Sequence, residues 1–310
     1  MRVYILSRNK DLYSTKRLVE EAEAKGWEVR VIDYLKCTIE IMKNELVINY
    51  EGKILPTPDA IIPRIGASRT FYGTAMVRHF EMMDVFSTSG NLAIARSRDK
   101  LRSLQVLSKN GVDMPKTIFA SNKSNAKDVI ALSGGAPLVL KILEGTQGVG
   151  VVLVDSEKAA KSVLDAFYGM EVNLLVQEFI EEAGGADIRA LVVNDEVVGA
   201  MKRQGAEGDF RSNLHQGGSA TAYKLSRKEK ATALAAAKAM GLGVCGVDMI
   251  PSKRGPLVME VNSSPGLEGI EKSTNINIAA KIMDFIEKSV KPKCPINPQK
   301  RKLKKDKIGA

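Results

Sequence analysis

Histidine and cysteine are scarce in this chain, and it has no long apolar run. With only His79 and His215 among 310 residues, a histidine-cluster metal site or a Ser–His relay has too little to draw on. The three cysteines, Cys37, Cys245 and Cys294, are odd in number and far apart, so neither a disulfide framework nor a CxxC metal site is implied. No stretch stays apolar for the length of a membrane span, and Met1-Arg2-Val3-Tyr4-Ile5-Leu6 is too soon broken to be a signal peptide. A cytoplasmic protein with no membrane partner is therefore expected. The first expected strand is followed by Ser7-Arg8-Asn9-Lys10 rather than a GxGxxG run, which disfavours a Rossmann dinucleotide site.

A hydrophobic share of 44% beside 26% charged residues is that of an ordinary globular protein, and the length suggests two or three compact units. The formal charge of +10 points at first to nucleic acid, but it is unevenly placed. Residues 291–310 hold eight lysines and arginines against Asp306 alone, a surplus of seven, which leaves three for the 290 residues before them. With Pro292, Pro295 and Pro298 and no apolar period, that segment is expected to be a disordered, solvated tail. Attraction to a ribosome or another anionic partner is the alternative use of such a tail. Direct nucleic-acid binding by the body is not expected.

The body alternates strands and helices. Residues 3–7, 29–33, 59–65 and 85–87 read as strands, 14–24 and 70–83 as helices, and 46–50 with 53–55 as a hairpin around Glu51-Gly52. Together they make an N-terminal α/β domain over 1–95. One helix is expected over 91–109, ended by Asn110-Gly111, and residues 96–114 form a helical connection. A central lobe over 115–180 has strands at 117–120, 138–143, 151–154 and 174–180 and helices at 125–132 and 157–168. A C-terminal lobe over 181–290 has strands at 188–193, 197–203, 244–250 and 257–261 and helices at 226–240 and 276–289.

Lys141 is the first chemical anomaly, because it interrupts Pro137-Leu138-Val139-Leu140-Lys141-Ile142-Leu143, a run that otherwise describes a fully buried strand. A lysine there needs an anion, or lies at an exposed strand end, or pairs with a protein carboxylate. The segment that follows, Glu144-Gly145-Thr146-Gln147-Gly148-Val149-Gly150, is a glycine loop of the kind that brings backbone N–H groups close to phosphate oxygens. After a lysine-bearing strand, phosphate covering is favoured over a plain hairpin connection.

The strongest constellation lies further on. Glu260 and Asn262 are two apart in an expected strand and so face one side. The turn candidate Lys253-Arg254-Gly255 lies midway between Asp248 and Glu260, so a hairpin would set these carboxylates opposite each other, a repulsive pair unless a cation intervenes. Two carboxylates and an amide oxygen are hard ligands suited to Mg2+ or Mn2+ held jointly with phosphates. Between the two regions, residues 208–218 form a polar, glycine-rich loop in which Arg211 can offset phosphoryl charge and Asn213 can orient substrate; His215 reads as structural.

With these residues in place the chain resembles the ATP-grasp superfamily and, within it, the RimK-type ligases that add glutamate to the C-terminus of a small-subunit ribosomal protein. The resemblance spans roughly residues 1–290. It rests on Ile62-Pro63-Arg64-Ile65-Gly66, Ala95-Arg96-Ser97-Arg98-Asp99-Lys100, Leu143-Glu144-Gly145-Thr146-Gln147-Gly148 and Glu207-Gly208-Asp209-Phe210-Arg211-Ser212-Asn213. It rests equally on Gly246-Val247-Asp248 and on Met259-Glu260-Val261-Asn262-Ser263-Ser264-Pro265-Gly266-Leu267-Glu268-Gly269. It implies an α/β fold of the mixed α+β ATP-grasp kind: an N-terminal α/β pre-ATP-grasp domain followed by two lobes that clasp ATP.

By that resemblance Lys100 and Lys141 contact ATP phosphates under a loop that includes Gly145 and Gly148. Gln177, Glu178, Phe179 and Ile180 form the hinge that reads adenine, and Asp187 lies near the ribose. Arg211, Ser212 and Asn213 approach the reacting phosphates, and Asp248, Glu260 and Asn262 hold two divalent ions. Arg211 and Lys141 are the expected catalytic groups. Arg64 and Arg203 are the guesses for a substrate carboxylate.

The expected activity is ATP-dependent transfer of L-glutamate to the ribosomal protein's C-terminal glutamate through an acyl phosphate, with ADP and phosphate released; poly-alpha-glutamate is a further expected product. The family also implies a homo-oligomer, a tetramer. Two rivals remain: an ATP-grasp ligase acting on a cofactor or amino-acid carrier protein, and a non-catalytic basic ribosome- or RNA-binding regulator.

Overall fold

The computed structural model describes residues 1–121, 123–143, 150–206, 210 and 218–290, and these build four sheets. The expected tail over 291–310 lies outside the described residues. The first sheet is parallel, with the spatial order Glu28–Ile32, Arg2–Leu6, Ala60–Pro63, Phe86–Ser87. Side-chain alternation along its second strand feeds two cores. Val3 and Ile5 pack with Leu18 and Ala22 of helix Tyr13–Ala24 and with Ile278, Ile282 and Ile286 of the final helix Ile278–Ser289. Tyr4 and Leu6 pack with Met76, Val77 and Phe80 of helix Thr70–Met82. Burial of both faces is why this strand reads as an unbroken apolar run.

A small antiparallel sheet, Cys37–Met42 with Glu45–Tyr50 and Lys53–Ile54, extends the first unit. Its tight turn uses Glu51 and Gly52 at φ of 50° and 79°, the paired positive values of a two-residue hairpin. The strand Cys37–Met42 was not expected, although Cys37, Ile39 and Ile41 alternate with Thr38 and Glu40 in the period of a half-buried strand.

The single helix expected over 91–109 is two helices, Asn91–Arg98 and Lys100–Lys109. Asp99 sits between them in an extended conformation (φ −88°, ψ 104°) and its carboxylate accepts the Arg102 backbone N–H at 2.9 Å. Aspartate is a strong N-cap, and here it starts a new helix instead of continuing the old one. The break makes Lys100 the first residue of the second helix.

The central sheet is antiparallel, in the order Val151–Val154, Leu138–Ile142, Leu174–Glu178, Thr117–Ala120. Leu138, Leu140, Leu174 and Val176 face helices Ala126–Ser133 and Glu157–Gly169. Lys141 therefore points from the opposite face. The last sheet is antiparallel and five-stranded, in the order Ser219–Ala222, Glu196–Gln204, Ala186–Val193, Val244–Ile250, Leu257–Asn262. Ile188, Ala190, Val192, Cys245, Val247 and Met249 fill one face against helix Arg227–Met240. Asp187, Arg189 and Asp248 are left for the other face.

One buried carboxylate ties the first unit to the last. Glu271 Oε1 accepts the backbone N–H groups of Ile278 and Ala279 at 2.9 and 3.1 Å, capping the final helix. Its Oε2 accepts from Tyr13 Oη at 2.9 Å and Arg17 Nε at 3.2 Å. Glu271→Ala orphans two helix-end donors and two side-chain donors at once. It is expected to cost about 2 kcal/mol and to lower Tm by roughly 3 °C, read by calorimetry; an unchanged Tm would show that the tie carries no stability.

Candidate functional site

Lys141 lies in strand register with Leu175 and Val151, and its ammonium donates to Gln177 Oε1 at 2.7 Å. Gln177 is itself buried, and its amide nitrogen donates to Thr117 Oγ1 at 2.8 Å. The lysine therefore has an oriented neutral partner rather than a paired carboxylate. Burial pushes its pKa down to about 8, Lys100 adds to the fall, and Glu260 opposes it. Lys100, from the new helix start, donates to the carbonyls of Ile142 and Leu143 at 3.2 and 2.9 Å. Burial also lowers its pKa, again against the pull of Glu260. Two partly desolvated cations thus face the C-terminal sheet from the connection and the central lobe.

Across from them, Asp248 and Glu260 are direct strand partners, as are Gly246 and Asn262. A bulge after Asp248 shifts the register, so Met249 pairs with Val258 and Met259 is the extra residue. Glu260 is open to solvent on its surface yet surrounded by protein, which describes the wall of a cleft rather than an outer face. Burial and the neighbouring Asp248 raise its pKa, while Arg189, Lys141 and Arg203 pull it down. Asn262 Oδ1 accepts the Ser264 N–H at 2.9 Å, which orients the amide. A Cβ on Gly246 would stand 3.2 Å from Pro265 Cβ and 3.6 Å from Arg189 Nε. The missing side chain lets the Ser264–Pro265 turn and Arg189 lie over the strand.

The sequence reading missed Arg189. Its Nε and Nη2 donate to both oxygens of Asp248 at 2.6 and 2.5 Å, a bidentate fork. Arg203 bridges Asp187 (2.7 Å from its Nε, with a second, shorter contact from Nη2) and Asp248 at 2.9 Å. The two guanidiniums hold Asp248 far below the usual carboxylate range despite its burial. The rows Arg203–Asp187 and Arg189–Asp248–Glu260 make a ladder across one sheet face in which each arginine pairs with an aspartate, and Glu260 ends the second row beside the like charge of Asp248. The pairing of Arg189 with Asp248 was hidden because they are 59 residues apart in sequence and adjacent only across the sheet.

The structure thus brings Lys100, Lys141, Gln177, Asp187, Arg203, Asp248, Glu260 and Asn262 to one cleft. Arg203, one of the two arginines guessed for a substrate carboxylate, is instead engaged by Asp187 and Asp248, since its strand runs antiparallel beside theirs. The expected hinge follows strand Leu174–Glu178. Glu178 takes the Lys116 N–H at 2.7 Å and the Arg254 guanidinium on its side chain, while its own N–H donates to Lys116 O at 3.0 Å. Phe179 meets Phe210 edge to face at 6.3 Å, and Ile180 is buried. Gly145, Gly148, Arg211, Ser212 and Asn213 lie outside the described residues.

The donor set of Asp248, Glu260 and Asn262 fits a hard divalent cation: oxygen atoms only, on adjacent strands of one face, with Asp248 Oδ1 taking a single arginine bond among the described residues and so keeping a lone pair for a metal. Among the described residues no group of three or more His, Cys, Asp and Glu could hold a metal; this set includes an amide instead. Cys37 and Cys245 are buried, with their thiols pushed up to about 12 by burial, so neither is a ready nucleophile. No helix among the described residues is long and apolar enough to cross a membrane.

Comparison with known proteins bears on the family and the fold. A family model for the RimK pre-ATP-grasp domain matches residues 1–94, and one for the RimK-like ATP-grasp domain matches residues 97–286. A probable alpha-L-glutamate ligase of Saccharophagus degradans is 61% identical over 292 residues, covering 94% of this chain and 97% of the relative. Among solved structures, the ATP-grasp ligase PsnB complexed with a minimal precursor superposes with a TM-score of 0.74 at 20% identity, over 94% of this chain and 98% of that one. D-alanine–D-alanine ligase of Bacillus anthracis complexed with ATP gives 0.67 at 18% identity, over 94% and 97%. At these identities the structures show the ATP-grasp fold.

Proposed function

Because the chain belongs to the RimK family of ATP-grasp enzymes and is an ATP-dependent carboxylate–amine ligase, we propose that it joins L-glutamate through its amine to the C-terminal carboxylate of a small-subunit ribosomal protein. The observation that carries the reading is the cleft in which Asp248 and Glu260 face each other on neighbouring strands, with Lys141 within electrostatic reach of Glu260. Asp248, Glu260 and Asn262 are the residues that would hold Mg2+ or Mn2+, two ions by resemblance. When bound, such ions neutralise phosphate charge and polarise the phosphoryl group.

The side chains define the rest. Lys141, oriented by Gln177, and Lys100 hold the triphosphate from one wall. An acceptor carboxylate oxygen attacks the γ-phosphorus as the bond to ADP breaks, giving an acyl phosphate. The amine of glutamate then attacks the activated carbonyl, and phosphate leaves. No side-chain nucleophile takes part, so catalysis is positioning plus charge neutralisation. Gly145 and Gly148 would cover the site against water, and Arg211 with Ser212 and Asn213 would attend the phosphates; these roles rest on the family resemblance.

Incubation with ATP, isotope-labelled glutamate and candidate acceptors tests the proposal, with ADP release and acceptor mass as readouts. Stepwise glutamyl additions on the ribosomal protein's C-terminus are expected. ADP release only with a cofactor or carrier-protein acceptor would reassign the acceptor. RNA binding with steep salt dependence and no acceptor-dependent ADP release would replace the ligase reading by a regulator.

A further inference from the structure

Open parallel sheets bind ligands beyond the carboxyl ends of their strands, where the strand order reverses. In the N-terminal sheet that reversal falls between Arg2–Leu6 and Ala60–Pro63, since the chain first adds Glu28–Ile32 on one side and later Ala60–Pro63 on the other. Arg64 is the residue just past the second of these strands, and its N–H donates to Leu6 O at 3.0 Å. Its Nη1 donates to Pro265 O at 2.7 Å. Arg98, at the end of its helix, donates from Nη2 to Ile65 O at 2.6 Å, and the same carbonyl accepts from Ser264 Oγ at 3.3 Å. Both guanidiniums thus adjoin the turn that directly follows Asn262.

Their partners are backbone carbonyls. Among the described residues neither guanidinium is in an ion pair, and Arg98 Nε is buried with no hydrogen-bond partner. Burial and the nearby Arg98 push the Arg64 pKa down to about 10, and burial lowers that of Arg98 although Glu260 and Tyr34 oppose it. Two like charges enclosed together with no ion pair among the described residues are costly, and an anion between them relieves both. Guanidiniums suit a planar carboxylate in a bidentate grip.

We propose that Arg64 and Arg98 form a subsite for a carboxylate of the ligase's amino-acid or acceptor substrate, at the switch point of the N-terminal sheet and next to Asn262. This extends the Arg64 expectation to a two-arginine site and rests on the ligase reading. If wild-type protein makes no product with any acceptor, that reading fails; if only the tests below fail, this subsite alone is lost.

The test is equilibrium binding of labelled glutamate and of the acceptor peptide, each with Mg2+ and a non-hydrolysable ATP analogue, to wild type, Arg64→Met and Arg98→Met. One of the two substrates is expected to lose about 10–100-fold in affinity, which says which source supplies the carboxylate. Analogue affinity should be unchanged and Tm unchanged or higher, since an uncompensated charge is gone. Arg64→Lys should recover part of the binding. Wild-type affinity for both substrates with a lowered Tm would make the arginines structural struts, and loss of analogue affinity instead would make this a phosphate site; either overturns the proposal. Should a variant not fold, arginine modification of the wild type by phenylglyoxal decides: saturating substrates should protect Arg64 and Arg98, and equal modification with and without them overturns the assignment.

Discussion

Glu260→Gln is expected to remove ligase activity by about 1,000-fold, equivalent to roughly 4 kcal/mol of transition-state stabilisation, while leaving the fold in place. The side chain borders the cleft and faces Asp248 across the ladder, and burial with the like charge of Asp248 outweighs the pull of the nearby cations on its carboxylate. Gln keeps the shape and removes one hard anionic ligand. It also removes repulsion with Asp248, so Tm should hold or rise slightly. The Mn2+ affinity of the variant, read by electron paramagnetic resonance, should fall with activity. Because burial and Asp248 raise the Glu260 pKa, metal affinity of the wild type should also weaken as pH falls, since a proton competes for the same oxygens. Wild-type turnover in Glu260→Gln would remove the metal assignment and with it the proposed chemistry.

Lys141→Met should separate stability from function in the same sense. Loss of a charge-assisted phosphate contact is expected to weaken nucleotide binding about 100-fold. In the ligand-free protein the same change removes a partly buried cation whose side-chain partner among the described residues is the neutral Gln177, and stability should rise by about 1 kcal/mol. The pH dependence has a definite sign. The folded pKa of about 8 lies below the ordinary 10.5, so the unfolded chain binds this proton more tightly. The penalty is full below pH 8 and disappears as pH rises to 10.5, so the stability gap between variant and wild type should close across that window. Nucleotide affinity of the wild type should decline as pH rises past 8, with the midpoint moved upward to the extent that phosphate stabilises the cation. A Tm gap that does not change with pH, or unaltered nucleotide affinity in the variant, would place Lys141 outside the site.

The proposed site draws on three chain regions that are distant in sequence. Lys100 comes from the connection, Lys141 from the central sheet, and Asp248, Glu260 and Asn262 from the C-terminal sheet. Their electrostatic coupling, seen in the opposing pulls of Glu260 on both lysines, is a property of the assembled molecule. Glu271, with its four accepted hydrogen bonds across the units, shows one way in which that assembly is held.

Several features were legible in the residue order because local rules govern them. Period-two alternation put Glu260 and Asn262 on one face, and the turn placed Asp248 and Glu260 on facing strands, although the register next to the turn would set Asp248 against Met259 and only the bulge there brings Glu260 opposite it. Lys141 stood out because a cation inside an apolar strand costs energy wherever the strand is placed. Glu51-Gly52 marked a hairpin because only certain residues accept positive φ cheaply. The break at Asp99, the bulge at Met259, the Arg189 and Arg203 grips on Asp248, and the meeting of Arg64 with Arg98 depended on tertiary structure. An arginine in a helix or strand looks solvated until its neighbours across the sheet or from another unit are known. Coulombic and burial energies fall with distance in space, which sequence separation does not measure; periodicity and turn chemistry act over a few residues, so the chain alone expresses them.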